Sequence, residues 1–358
     1  MIEMFKRYRN YRMDIYPTRR DYAMPKYVLD NTVKNATACK SIDNELNLTG
    51  CYGGLPFPIP KTGNQVMWNH LVSYNSWSFL GRGEVWVVPT DGDATMVDRV
   101  NFINNWPYYE PARTEPHGAD AMYFRYLGKD EAPARLAGGQ FMLLDPVDQL
   151  NLKRRAYLYL TGRRWVRVAA DLAYDTPTPY GAGSATMDDS RVFFGALDRF
   201  DFELRGKKEK FIYSNNYEIT NSSICTPEKY AATKGFPNPD CVRWELHRVW
   251  VVKATLKPGL KHIYHKRMLY WDEDGYVAGT GESYDAKGHL FRISNNIVFP
   301  LFETPGVYGG SNTYLDLDTG IWVISGNMSC ESCGGFGQTT PISEDLFRPD
   351  SMAGAGVR

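Results

Sequence analysis

From Ser78 to Asn327, apolar and polar positions alternate in short runs separated by Gly, Asp, Asn and Pro clusters, which predicts strands joined by tight turns. EVWVVPT is followed by the turn DGDA and then by TMVDRVNFINNW. AGGQFMLLD precedes RAYLYL, the turn TGRR and WVRVA, and DRFDFELRG leads through KKEK, taken as a turn, to FIYSNNYEI. RWELHRVWVVKATL, a break at KPGLKH and IYHKRMLYW come next. DEDG then turns into YVAGTGESYD, AKG into HLFRISNNIVF, and NTYLDLD, TG and IWVISGN close the set. Connections this short fit antiparallel neighbours, because parallel strands need crossovers of about a dozen residues or more. There is no repeat of fixed period. The pattern predicts an α+β, mainly β fold: one large, strongly curved antiparallel sheet with a few helices on one face.

Two helical stretches precede the strands: a short amphipathic helix after Pro25, and QVMWNHL, where Val66, Met67, His70 and Leu71 recur at helical spacing. Between them lies CYGGLPFPIPKTG, from Cys51 to Gly63. Pro56, Pro58 and Pro60 fix an extended run, so Leu55, Phe57 and Ile59 form a pre-ordered apolar comb. Two long interruptions, AYDTPTPYGAGSATMDDS and SSICTPEKYAATKGFPNPDC, break the strand pattern, and the first is expected to cross the mouth of the sheet. The chain divides into a helical and loop-like lead-in (1–50), the sheet domain (51–325) and a loop-rich tail (326–358).

Composition narrows the classes. Lys+Arg and Asp+Glu stand at 41 each in 358 residues, so no global charge argues for a nucleic-acid or membrane-surface partner. The basic start, where six Lys or Arg alternate with Phe5, Tyr8, Tyr11 and Tyr16, is read as a solvated amphipathic helix. No run approaches the roughly 18 apolar residues of a membrane-spanning helix, and the first residues lack the apolar core of a secretory signal. Aromatic residues reach 14%, including 24 Tyr and 9 Trp, a content suited to strands and to surfaces that meet lipids, sugars or proteins. The six cysteines fall in three local pairs, Cys39 with Cys51, Cys225 with Cys241 and Cys330 with Cys333, which predicts loop-closing disulfides in an oxidising compartment. Cys330 and Cys333 have C-x-x-C spacing, but no second pair of ligands lies nearby, so no metal site is expected.

No catalytic constellation stands out. There is no nucleophile elbow, phosphate loop, H-E-x-x-H or dinucleotide fingerprint. His262 and His265, three apart in a predicted strand, would point to opposite faces, and His247 is expected to be satisfied by a neighbouring carboxylate. The adjacent acids of MDDS, Asp188 and Asp189, are expected to be solvated. An enzyme is not what these residues propose. In RVWVVKATL and RRAYLYL both alternating sets are apolar or aromatic, so a strand face is available either to an ordinary core or to an apolar cavity.

The stretches YPTRRDYAMPKYVLDNTVKNAT, GGLPFPIPKTGNQVMWNHL, APARLAGG, GRRWVRVAADLAYDTP, ELHRVWVVKATLKPGLKHIYHKRMLYWDEDGY and YDAKGHLFRIS resemble the domain-of-unknown-function family DUF1329. These are Gram-negative envelope proteins related to the lipoprotein carrier LolA. The resemblance runs from Tyr16 to Phe299 and is loose after Val307. It implies a LolA-like half-barrel with helices over the concave face and, as function, a periplasmic or outer-membrane-associated carrier for a lipid or other hydrophobic molecule. Outer-membrane proteins and RND-type exporters are the partners it implies, which leaves a non-catalytic adaptor as the alternative and an envelope hydrolase as the third reading. It brings no catalytic residue and no cofactor. Family members begin with a secretory signal and a further stretch ahead of YPTRR, so a truncated chain is the expectation here. The candidate cleft lining is Leu55, Phe57, Trp68, Tyr157, Tyr159, Trp165, Trp250, Val252 and Tyr270, with the comb fixing the helix QVMWNHL against the sheet and Trp68 as its plug.

Overall fold

The computed structural model describes residues 2–118, 120–302, 305–333, 337–338 and 342–354. The chain begins with α1 (Ile2–Arg7), β1 (Ile15–Tyr16), α2 (Lys26–Ala38), a small hairpin of β2 (Lys40–Ile42) and β3 (Asn47–Thr49), and α3 (Gly63–Leu71). An antiparallel meander follows from the middle of the main sheet to one edge: β4 (Ser78–Val88), β5 (Thr95–Asn105), β6 (Met122–Ala132), β7 (Gln140–Pro146), β8 (Arg155–Leu160) and β9 (Trp165–Val168). Residues 169–199 then carry the chain to the opposite edge, where β10 (Phe200–Tyr213) begins the return. The excursion after it holds α4 (Pro227–Tyr230), and β11 (Trp244–Leu256), β12 (Lys266–Asp272), β13 (Gly279–Tyr284), β14 (Leu290–Pro300), β15 (Val307–Asp316) and β16 (Trp322–Asn327) run back as antiparallel neighbours. β16 pairs with β4 and joins the two meanders. β1 adds in parallel to β11, β17 (Gly337–Gln338) pairs with β4, and α5 (Pro349–Gly354) ends the described chain. Among the described residues β9 and β10 do not pair with each other, so the sheet stays open, a half-barrel.

Three features differ from the pattern-based expectation. KKEK is not a turn: Lys207–Lys210 lie within the single strand β10, and a bulge between Leu204 and Lys207, with Gly206 at φ +85°, bends it instead. Lys207 lies over the ring of Trp250, and Lys208 and Lys210 lie over that of Tyr270. β6 was not anticipated from the pattern, because its positions 126, 128 and 130 are Tyr, Gly and Asp rather than an aliphatic stripe. His262 lies ahead of β12 rather than in a strand.

α3 is buried on all sides because it is wedged between the sheet and the proline comb. Thr62 caps it by accepting from the Gln65 amide at 3.2 Å, and Phe57 exchanges two backbone bonds with the Asn69 amide side chain, at 2.9 and 2.6 Å. Asn35 of α2 grips the same segment through Tyr52 and Leu55. Leu55 and Phe57 point inward, whereas Ile59 is 80% exposed, so the comb has two buried teeth rather than three. On the face that carries α3, the inner face, Trp68, Trp271, Val252, Leu269, Phe193 and Phe202 form the largest core. The outer face is covered by α1 and by the excursion that Cys225–Cys241 closes, with Phe347 and Met352 over β7 and β8.

Candidate functional site

The crossing segment 169–199 is the roof of the inner face, and a buried charge cluster bolts it down. Asp188 and Asp189 are buried rather than solvated as the sequence suggested, because Arg267 of β12 reaches both, at 3.3 and 2.7 Å, and also donates to the Val192 carbonyl at 2.6 Å. The Tyr264 amide donates to His262 Nδ1, which leaves His262 Nε2–H to donate to Asp188 at 3.1 Å. The Tyr264 hydroxyl donates to Asp189 at 2.6 Å and accepts from Arg292 at 2.9 Å. Burial opposes ionisation of Asp188, but Arg267 and His262 outweigh it and hold its pKa below the ordinary value.

Beyond this bolt, between the roof and strands β4 to β8, β15 and β16, lies a cavity of about 250 Å³. An apolar cavity of about 150 Å³ is enough to bind benzene. Its walls are mostly apolar: Val100, Phe102 and Trp106 from β5 and the turn beyond it, Phe141 and Leu143 from β7, Leu158 from β8 and Val323 from β16. A Cβ built on Gly128 or Gly310 would collide with the hydroxyls of Tyr126 and Tyr308, so these glycines let both rings lie along the strands and leave the space free. Among the described residues the lining includes no histidine, cysteine or lysine.

The two ends of the cavity differ in charge. Toward the start of β5, Asp98 is 3% exposed and its Oδ1 has no hydrogen-bond partner; Asp130 receives the Tyr180 hydroxyl at 3.2 Å. Burial, and then the neighbouring Asp130, push Asp98 up to about 7, and burial pushes Asp130 up to about 6. A carboxyl whose folded pKa exceeds the ordinary 3.8 penalises the folded state increasingly as pH rises from 3.8 through 7. Asp98→Asn is therefore expected to stabilise the protein by about 1–3 kcal/mol at about pH 8 and to leave it nearly unchanged at about pH 4. Urea unfolding at the two pH values checks this, and an equal effect at both would contradict it.

At the other end sit Arg154 and Arg191. Arg154 is neutralised by Asp145, with bonds of 2.7 and 2.8 Å. Arg191 and Val192 both adopt positive φ, +51° and +71°, a conformation that costs on the order of 1–3 kcal/mol per residue and here turns Arg191 inward. His70 of α3 stacks on Trp271 at 3.5 Å, its ring nitrogens face the carbonyls of Tyr276 and Phe193 at 2.7 and 2.8 Å, and burial, with Arg191 nearby, pushes its pKa down to about 3.

The nine residues expected from the sequence to line a cleft do not border this cavity. Leu55, Phe57, Trp68 and Val252 lie together in the filled core around α3, with Trp250 packed at its margin. Register explains the rest. Val252 opposes Leu269 on the inner face, which places Tyr270 on the outer one. Leu158 faces the cavity, which turns Tyr157 and Tyr159 to the outer face with Phe347. Trp165, on edge strand β9, is 46% exposed. The cysteines pair as Cys39–Cys51, Cys225–Cys241 and Cys330–Cys333.

The sequence matches the family described as "Protein of unknown function (DUF1329)" over residues 1–353. The chain belongs to the DUF1329 family. An uncharacterized protein of Pseudomonas aeruginosa is 33% identical over 361 residues, covering 100% of this chain and 78% of its own length. A putative outer membrane lipoprotein-sorting protein domain from Vibrio parahaemolyticus shares the fold, with a TM-score of 0.53 and 11% identity over 81% of this chain and 97% of that one. So does a DUF1329 family protein from Desulfovibrio piger, with a TM-score of 0.50 and 11% identity over 77% of this chain and 92% of that one.

One further cluster of this DUF1329 chain lies on the outer face. His247 is bracketed by Glu245 and Asp272, each 3.0 Å from a ring nitrogen. Burial opposes its charge, but Asp272 and Glu245 prevail and raise its pKa to about 9. Asp274 brings a third possible ligand atom close to those of His247 and Asp272, and a metal ion there would have to displace the imidazole proton. Because the folded pKa lies above the ordinary 6.5, the stabilisation is fully present below pH 6.5 and is lost as pH rises through 9. Between about pH 6 and about pH 9.5, unfolding free energy should fall by about 2–3 kcal/mol more in the wild type than in His247→Gln. Parallel pH profiles of the two proteins would contradict this.

Proposed function

We propose that the protein is a periplasmic carrier that binds a lipid or other hydrophobic molecule in this cavity, as one part of a Gram-negative envelope transport route. The support is the cavity itself: an apolar space on the inner face of an open half-barrel, roofed by one strap rather than filled by side chains. Burial at about 25 cal/mol per Å² lets a single acyl chain supply most of the affinity. Three disulfides fit an oxidising compartment. An adaptor between an outer-membrane protein and an exporter requires exposed surface and no internal space, so the cavity favours the carrier. The test is binding of a fluorescent fatty-acid analogue to the wild type and to Leu143→Trp, whose larger side chain fills the cavity. The carrier reading expects saturable binding that the variant loses while keeping its circular dichroism spectrum. Unchanged binding by a folded Leu143→Trp protein would overturn it.

A further inference from the structure

Arg191 is 4% exposed and borders the cavity, yet among the described residues no carboxylate lies within ion-pair distance of it. Its guanidinium reaches the carbonyls of His70 and Leu71, at 3.4 and 3.5 Å, and the Ser73 hydroxyl, and so closes the C-terminal end of α3. That contact, at the negative end of the α3 dipole, accounts for part of its hydrogen bonding and offsets part of its charge, but supplies no neutralising carboxylate. Its Nε is buried with no partner. Neighbouring Arg154 is already paired with Asp145, His70 brings no negative charge, and the other side chains that act on Arg191 are the hydroxyls of Tyr109, Tyr123 and Tyr308. This end of the cavity therefore carries a positive charge that, among the described residues, no carboxylate neutralises, and buried charges are otherwise paired. The acids at the far end can shed their charge by taking up protons; a guanidinium cannot.

We propose that the cavity is built for a single-chain amphiphile with an anionic head, a carboxylate or phosphate monoester, seated on Arg191, its chain lying along Phe102 and Val100 toward Asp98. This rests on the carrier reading and adds to it the charge and direction of the ligand. Inward positions of β5 from Asp98 to Trp106 span on the order of 26 Å, so the trough has the length for an extended chain. Asp98 and Asp130 at the opposite end offer an anionic head no cation, so the head seats at Arg191. Phe194, 5.2 Å from the Arg191 guanidinium, walls the head-binding end with an aromatic face.

The experiment is calorimetric titration of delipidated protein with dodecanoate, dodecyl phosphate, dodecanol and acetate at equal ionic strength, on the wild type, Arg191→Met and Arg191→Lys. The proposal expects dodecanoate or dodecyl phosphate to bind at least tenfold tighter than dodecanol, with the better of the two naming the head, and acetate alone to show no binding. Arg191→Met should lose the preference while still binding dodecanol, and Arg191→Lys should keep part of it. Equal affinity for the anions and dodecanol in the wild type overturns the proposal, whether or not the variants fold, and leaves the carrier reading standing. No binding of any twelve-carbon compound overturns the carrier reading itself.

Discussion

Replacing Arg267 with methionine is expected to remove about 3–5 kcal/mol of folding stability, because it strands two buried carboxylates. Arg267 is fully buried on β12 and is the cation that Asp188 and Asp189 share. Without it, His262 and the Tyr264 hydroxyl remain, and neither replaces a guanidinium that bridges both carboxylates. Protonating the stranded acids relieves part of the cost, so the loss should shrink as pH falls toward 4. Adding Asp188→Asn and Asp189→Asn to Arg267→Met should recover more than half of the loss, since the cation and both carboxylates it bridged are then all replaced by neutral groups. Urea unfolding of the variants measures each step. A loss below about 1 kcal/mol for the single variant would mean that the roof is not held by this cluster.

Trp68→Ala should cost a similar amount, about 3–5 kcal/mol. Trp68 is fully buried between the comb and the sheet, and its indole nitrogen donates to the Glu45 carbonyl at 2.8 Å. That bond ties α3 to the β2–β3 hairpin, whose turn residues Asp43, Asn44 and Glu45 all have positive φ. Truncation thus opens a cavity in the main core and releases a strained turn at once. The denaturant midpoint is expected to fall with an unchanged slope, and a midpoint within error of the wild type would show that the comb and α3 are peripheral to stability.

Much of the fold is legible in the chain, and the reasons are local. The period-2 runs of β4, β8, β11 and β14 are bounded by turn residues, and the apolar spacing of α3 marks that helix without help from the rest of the fold. β6 escapes the pattern for the same reason that it matters: a strand that walls a cavity has no need of an aliphatic inward stripe, and Tyr126, Gly128 and Asp130 supply space and polarity instead. The candidate lining was drawn from the most apolar side chains, and apolarity marks residues that fill a core. Trp68 and Val252 do that, while the cavity collects the mixed positions Asp98, Asn104, Gly310 and Arg191. Asp188 and Asp189 read as solvated because their partner Arg267 lies 78 residues away from Asp189 in sequence. Neither pairing is visible until the roof crosses the sheet.

The most direct test of the carrier is native mass spectrometry of the protein purified from an envelope fraction, followed by organic extraction. The account predicts a bound mass of one single-chain anionic amphiphile per protein, displaced in Leu143→Trp. A clean ligand-free mass from the native source would contradict it.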